Sequence, residues 1–419
     1  MIHWPQMGAG ATNRLGAALA ELVEAPRVRE CMQWIGRDKQ WVHEQHLHLC
    51  RIPAPTFFEQ RRAEWMAAQL RNLGCEVELD RVGNVIAFPG GSSGPLIALT
   101  AHLDTVLAPR HKDEITVDPD GRLRGPGVAD NGAGLAALLA LARVWRGCQP
   151  LSDTACNLAL VANVGEEGEG NLSGMRHLCT ASPLAARWRA FVVLDGPCVD
   201  HITCRAVASR RFEIAYTGPG GHSWSDAGAV NPVHALSRAI SLFTDRCPNG
   251  GGPGARFSFN FGLIEGGTSI NAIPNLARAK VDLRAECEPE LEPWVQALSA
   301  VVEEALQVEN QRAKAGKLAV RLREIGFRPS GRLPADSPLL ACVRAVDAHL
   351  GIRSRPDSAS TDANIPLSLG LPAVSIGAGG QGGGAHTEAE WYQPEGRDLG
   401  LKRILLILCL LLREGARLL

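Results

Sequence analysis

The sequence has no apolar run long enough to cross a bilayer. The longest, Ile404 to Leu412, is about half of what a spanning helix needs, and Lys402, Arg403 and Arg413 flank it. It reads as a buried C-terminal helix. Excess charge is also missing: the formal net charge is -1, so no global field draws the chain to nucleic acid or an anionic membrane. Neither partner is expected. The twelve cysteines are scattered and form no CxxC pair, which argues against a secreted disulfide scaffold. They read as reduced, mostly buried thiols of a cytosolic protein. The opening Met1-Ile2-His3-Trp4-Pro5 has no basic stretch followed by an apolar one, so no signal peptide is expected. The default location is cytoplasmic. Internal repeats are absent, and low complexity is confined to glycine-rich loops.

What is present is a soluble globular composition, 45% hydrophobic and 21% charged, over 419 residues, which suits two domains. The first fifty residues read as helix. Ile52-Pro53-Ala54-Pro55 breaks that pattern, and Thr56 with Glu59 has the spacing of a capping box for a helix through Leu73. Strand, loop and helix then repeat. Cys75 to Asp80, Pro95 to Ala101, Asn157 to Asn163 and Phe191 to Leu194 read as strands, and Gly132 to Trp145 as a helix. This alternation predicts an α/β fold, a three-layer αβα domain on a central mixed sheet. The texture changes near Arg205. Four alternating segments and two helices, Asn231 to Thr244 and Glu290 to Val308, suggest a compact inserted α+β domain. After Ser330 the buried pattern returns, with a helix at Pro338 to Leu350 and a strand at Pro372 to Ile376. The expected division is a catalytic domain of residues 1–206 and 328–419, interrupted by an inserted domain of residues 207–327.

Five polar segments follow predicted strands of the α/β part, where open α/β sheets bind ligands. In Thr100 to Val106, His102 and Asp104 are two apart and point the same way on an extended backbone; a core histidine satisfied by its neighbour is the plainer alternative. Asp130, in Gly125 to Gly132, is either a helix cap or a carboxylate bridging two cations. Glu166 and Glu167 sit side by side among glycines, costly without cations unless the loop is simply solvated. Asp195 ends an apolar strand, and His386 follows the loop Gly377 to Gly384. That loop matches GxGxxG, but no helix opens on its last glycine, so a phosphate cradle is disfavoured. Each residue alone is ambiguous. Together they supply two histidines and several carboxylates, the N and O donors that suit a pair of divalent metals. His43-Glu44-Gln45-His46 only imitates HExxH, because Leu47 stands where the second histidine belongs. It reads as a surface helix.

From about residue 50 onward, these segments in this order resemble the co-catalytic metallopeptidase family that includes carboxypeptidase G, aminoacylase, succinyl-diaminopimelate desuccinylase, carnosinase and peptidase T. The resemblance rests on Thr100–Val106, Gly125–Gly134, Gly165–Gly170, Leu194–Pro197, Gly218–Ser223 and His386–Trp391. It implies a hydrolase with two divalent ions, zinc first and cobalt or manganese as alternatives. His102, Asp130 and Asp195 would hold one ion. Asp130, Glu167 and His386 would hold the other. Glu166 would be the general base and Asp104 the partner that orients His102. The family's Asp–Asn peptide, here Asp130–Asn131, is typically cis. On the inserted domain, which would serve as a ferredoxin-like lid and dimerisation surface, His222 would bind the oxyanion, in its own subunit or a partner's. Asn271 and Arg284 would hold a substrate carboxylate. The expected substrates are small peptides or N-acyl amino acids, and a homodimer is expected. Asp195 stands where the desuccinylase and carboxypeptidase G have Glu, a choice that resembles peptidase T and the dipeptidases. The lean is therefore toward a di- or tripeptide exopeptidase, with an N-acyl-amino-acid deacylase second and a non-catalytic metal-binding scaffold remote.

Overall fold

A computed structural model describes residues 9–149, 151, 154, 156–247 and 256–418. The opening residues read for a leader lie outside this range. The chain divides into two compact units, residues 1–206 with 331–419, and residues 207–330.

The first unit is built on a nine-stranded mixed sheet. Its centre is four parallel strands in the order Asn157–Asn163, Leu96–His102, Trp188–Leu194 and Ala373–Ile376. Every residue of Leu96–His102 is buried, so both faces of the sheet are covered, as a continuous apolar strand requires. Glu76–Leu79 and Val85–Phe88 extend the sheet antiparallel at one side, and His201–Ala206 continues it at the other. The chain leaves Leu96–His102, returns one place to one side, and next returns one place to the other. That reversal opens a crevice at the carboxyl end of Leu96–His102, where His102 sits.

The helix Gly132–Cys148 packs on the sheet because its first turns are glycine and alanine. A Cβ on Gly134 would lie 3.1 Å from that of Ala101 and collide with the Asn131 side chain. Asn131 caps this helix, its side chain accepting from Gly134 N–H. Three helices, Ala9–Glu24, Pro26–Arg37 and Lys39–Cys50, precede the sheet. Lys39–Cys50 differs from the sequence expectation: His46 is fully buried, so the His43–His46 segment is no surface helix. Its polar ring is tolerated because both nitrogens find partners, described below.

The capping box is also absent. Thr56 gives its hydroxyl to Asp104, while the Glu59 carboxylate accepts from Phe57 and Gly165 N–H. The helix Gln60–Asn72 starts without a side-chain cap. Tertiary hydrogen bonds have taken both side chains. Buried Arg62 on this helix binds the carbonyls of Ile52 and Leu103, tying the irregular segment 51–59 to the end of the central strand.

The apolar run Ile404 to Leu412 is buried within the helix Arg397–Leu418. Among the described residues no helix is long and apolar enough to cross a membrane. Arg403, just before this run, is fully buried and grips Asp347 of the helix Pro338–Leu350 through two bonds of 2.6 and 2.8 Å. Ser354 donates a third bond to Asp347. All twelve cysteines are free, nine of them buried.

The second unit has its own core. Four antiparallel strands run in the order Phe257–Gly266, Leu276–Ala285, Ala208–Thr217 and Ala319–Arg328. Alternate residues of Leu276–Ala285 are buried, so one face is covered. The helices Pro232–Arg246 and Glu288–Arg312 supply the apolar side chains that cover it.

Removing one partner of a buried ion pair leaves an uncompensated charge. Asp347→Ala should lower the unfolding free energy by about 3–5 kcal/mol, read as a shift of the denaturant midpoint at unchanged slope.

Candidate metal centre

The site begins with the Asp104 carboxylate, which is fully buried. One oxygen accepts from Glu166 N–H at 3.0 Å; the other accepts from Glu167 N–H and the Thr56 hydroxyl, both at 2.9 Å. The same carboxylate lies 3.6 Å from His102 Nδ1. Three hydrogen bonds on one side chain tie the end of the central strand to the Gly165–Gly170 loop and the segment around Thr56. Burial works against this charge, but the neighbouring His102 and the two N–H donors hold the Asp104 pKa below the usual carboxylate range.

His102 Nδ1 lies 2.9 Å from the Asp104 backbone carbonyl. A carbonyl only accepts, so Nδ1 carries the proton and the neutral ring's Nε2 is a bare lone pair. That lone pair faces Asp130 Oδ1 at 3.0 Å. His386 Nε2 sits in a similar place, 3.1 Å from both Asp130 Oδ2 and Glu167 Oε1. Two acceptors at this distance need a proton or a cation between them.

Without a cation, protons must do that work. Burial lowers the His102 pKa, yet the bonds to Asp104 and Asp130 outweigh it and hold the ring well above the ordinary histidine range. Bonding to Asp130 and Glu167 pushes His386 up to about 10. Burial, then the Glu166 charge, pushes Glu167 up to about 7. Burial and Asp130 push Asp195 well above the carboxylate range. A donor set of imidazole nitrogen and carboxylate oxygen, crowded until Glu167 and Asp195 resist ionising, fits divalent cations. His102, Asp130 and Glu167 present ligand atoms all within 4.8 Å of one another.

The loop bearing Asp130 is held by a residue the sequence reading missed. The buried Glu390 carboxylate accepts from Gly127, Ala129 and Asp130 N–H at 2.7–2.8 Å. Asn131, joined to Asp130 by a cis peptide, donates to Leu194 O at 2.7 Å and so anchors the loop beside Asp195. His386 has φ 65°, an uncommon conformation for a non-glycine residue that recurs at functional sites. Asp362, also missed, accepts from Asn163 at 2.6 Å, and burial with the Glu166 charge raises its pKa to about 7. Glu390 offered one signal, its place four residues after His386. Asp362 lies in the buried stretch 361–367, whose sequence shows no apolar periodicity and so carries none.

The three residues expected on the inserted domain all fall in the second unit. His222 is exposed and its Nδ1 accepts from Trp224 and Ser225 N–H at 3.2 and 3.3 Å. Its neutral ring therefore carries the proton on Nε2. Asn271 is adjacent, its carbonyl accepting from Ser223 N–H. Arg284 is not brought to them. It lies near the far end of Leu276–Ala285 and pairs with Asp282 at 2.7 Å.

The sequence pattern described as Peptidase family M20/M25/M40 matches residues 98–409. The chain belongs to that family. As a member it is a hydrolase of the peptidase and amidohydrolase type. A succinyl-diaminopimelate desuccinylase of Corynebacterium glutamicum is 27% identical over 79% of this chain and 86% of its own length. A probable carboxypeptidase of Aspergillus terreus is 32% identical over 48% of this chain. The match spans only 47% of that carboxypeptidase. Among solved structures, the dipeptidase Dug1p of Saccharomyces cerevisiae superimposes with TM-score 0.71 at 13% identity, over 91% of this chain and 98% of its own. The Bacillus subtilis YXEP protein, described as a dinuclear metal binding peptidase, gives 0.59 at 18%, over 89% and 98%. These two likenesses establish the shared fold of the M20 chain.

A metal held here would have to displace protons from His386 and Glu167, so its affinity should rise with pH through 7, the value to which Glu167 is raised. Calorimetric titration with zinc or cobalt, in buffers of different ionisation enthalpy, should show protons released. Binding without proton release would contradict this arrangement.

Proposed function

We propose that this M20 chain is a two-metal exopeptidase cutting the amide bond of di- and tripeptides. The observation that carries the proposal is the pair of histidine Nε2 atoms facing the Asp130 carboxylate, one at each oxygen. In this reading His102, Asp130 and Asp195 hold one ion, while Asp130, Glu167 and His386 hold the second. Zinc, with cobalt or manganese as substitutes, would there polarise the scissile carbonyl and lower the pKa of a water. Glu166 would take a proton from the attacking water and pass it to the leaving amine. Its backbone N–H is fastened to Asp104, which limits how far the base can wander. Asp104 also keeps His102 in the tautomer that offers Nε2. His222 supplies its Nε2–H to the developing oxyanion, and Asn271 binds the substrate carboxylate. Arg284 would share that role only from a second copy, because it stands apart from Asn271 within its own unit.

Residues 207–330 would act as lid and dimerisation surface, His222 working in its own subunit or a second copy's. Free, mostly buried thiols fit a reducing cytoplasmic setting. Asp195, where other branches carry Glu, supports peptides as substrates. The second reading, an N-acyl-amino-acid deacylase, is favoured by the desuccinylase relative matched over most of its length.

A panel of dipeptides, tripeptides and N-acyl amino acids, assayed with each of the three metals, separates the readings. Peptide hydrolysis is expected, and activity confined to acyl amino acids would replace the first reading by the second. Glu166→Gln should bind metal normally while turnover falls by about 10²–10⁴-fold. Full turnover in that variant would remove Glu166 from the chemistry.

A further inference from the structure

The imitation zinc motif on the third helix belongs to the site after all, though not as a ligand. We propose that His46 is a positioning residue, its Nε2–H fixing the carbonyl of Val128 and thereby the carboxylate of Asp130. The inference rests on the two-metal reading above.

His46 lies in Lys39–Cys50 and is fully buried. Arg397 Nη2 is 2.8 Å from its Nδ1. A guanidinium only donates, so Nδ1 accepts and the ring proton sits on Nε2. That N–H points at Val128 O, 2.7 Å away. Every polarity in this short chain is set by chemistry, from Arg397 to His46 to Val128. Burial and the Arg397 charge keep the ring's pKa well below the ordinary range, consistent with a neutral strut.

Arg397 is itself aimed. Its Nε donates to the Tyr392 hydroxyl at 2.9 Å, and that hydroxyl donates to Gly379 O at 2.9 Å. The Tyr392 ring meets the His46 ring edge-on, with centroids 4.8 Å apart. One guanidinium therefore reaches two loops, the one ending in Asp130 and the one leading to His386. No slack remains beside His46: a Cβ on Gly132 would come within 2.9 Å of His46 Nε2 and 2.5 Å of Cys50 Sγ. On the other side of the same loop Glu390 takes the N–H groups. The loop is gripped by its carbonyl on one side and its amides on the other, leaving Asp130 one place to stand.

A packing role alone would make His46 replaceable by any side chain of its size. A positioning role requires one donor and one acceptor. The test uses the full chain with zinc or cobalt alone as probe, read by calorimetric titration, with kcat and KM measured on the best peptide substrate. His46→Leu should lose roughly 10–100-fold in metal affinity, with kcat reduced and KM little changed. His46→Gln keeps a donor and an acceptor and should recover most of both. Tyr392→Phe, which removes only the hydroxyl steadying Arg397, should show a smaller loss in the same direction and guards against a His46→Leu chain that does not fold. Wild-type protein that binds no pair of divalent ions overturns the two-metal reading and this one with it. Wild-type protein that binds two, with His46→Leu or Tyr392→Phe unaffected or His46→Gln as impaired as Leu, overturns the role of His46 alone.

Discussion

The candidate metal centre depends on the buried Asp104 carboxylate accepting three hydrogen bonds from two other stretches of chain. Glu166 and Glu167 would repel each other and Asp130 if left to solvent and chance. Asp104 holds their backbones by the N–H groups, not by their charges, so the acidic side chains are left to converge. A desolvated carboxylate with three hydrogen-bond partners strongly resists movement. The strand end, the glutamate loop and the segment at Thr56 consequently form one rigid rim. Glu390 repeats the device for Asp130. In both cases a buried acid positions an outer one through backbone amides.

Much of this was legible in the sequence, for a definable reason. Parallel strands buried on both faces are continuous apolar runs, and their carboxyl ends are marked by the first polar residue. His102, Glu166, Glu167 and Asp195 were visible in that way, as were the strands that carry them. The helix Gly132–Cys148 announced itself by alanine and leucine, and the alternation within 276–285 gave the second unit its sheet.

What was not legible depends on contacts distant in sequence. Thr56 and Glu59 have the spacing of a local cap, yet both side chains are used across the fold, on Asp104 and Gly165. Local propensity offered a bond worth about 1 kcal/mol, and the buried amides of the metal rim had a stronger claim. His46 was misjudged because helix periodicity says which residues share a face, and not that Arg397, 351 residues away, waits on it. Glu390 and Asp362 were overlooked because a carboxylate that serves backbone amides has no sequence signature of its own. Arg284 matches its motif, but within its own unit it stands apart from His222 and Asn271.

The family pattern begins at residue 98, which invites the view that everything before it is ornament. The hydrogen bonds say otherwise. A chain trimmed to the matched span would keep His102, Asp130, Glu166, Glu167, Asp195 and His386. It would lose Thr56 from Asp104, Arg62 from Leu103 O, and His46 from Val128. Its proposed ligands would be complete and their supports missing, so the boundary of the working enzyme lies well outside the boundary of its recognisable motifs.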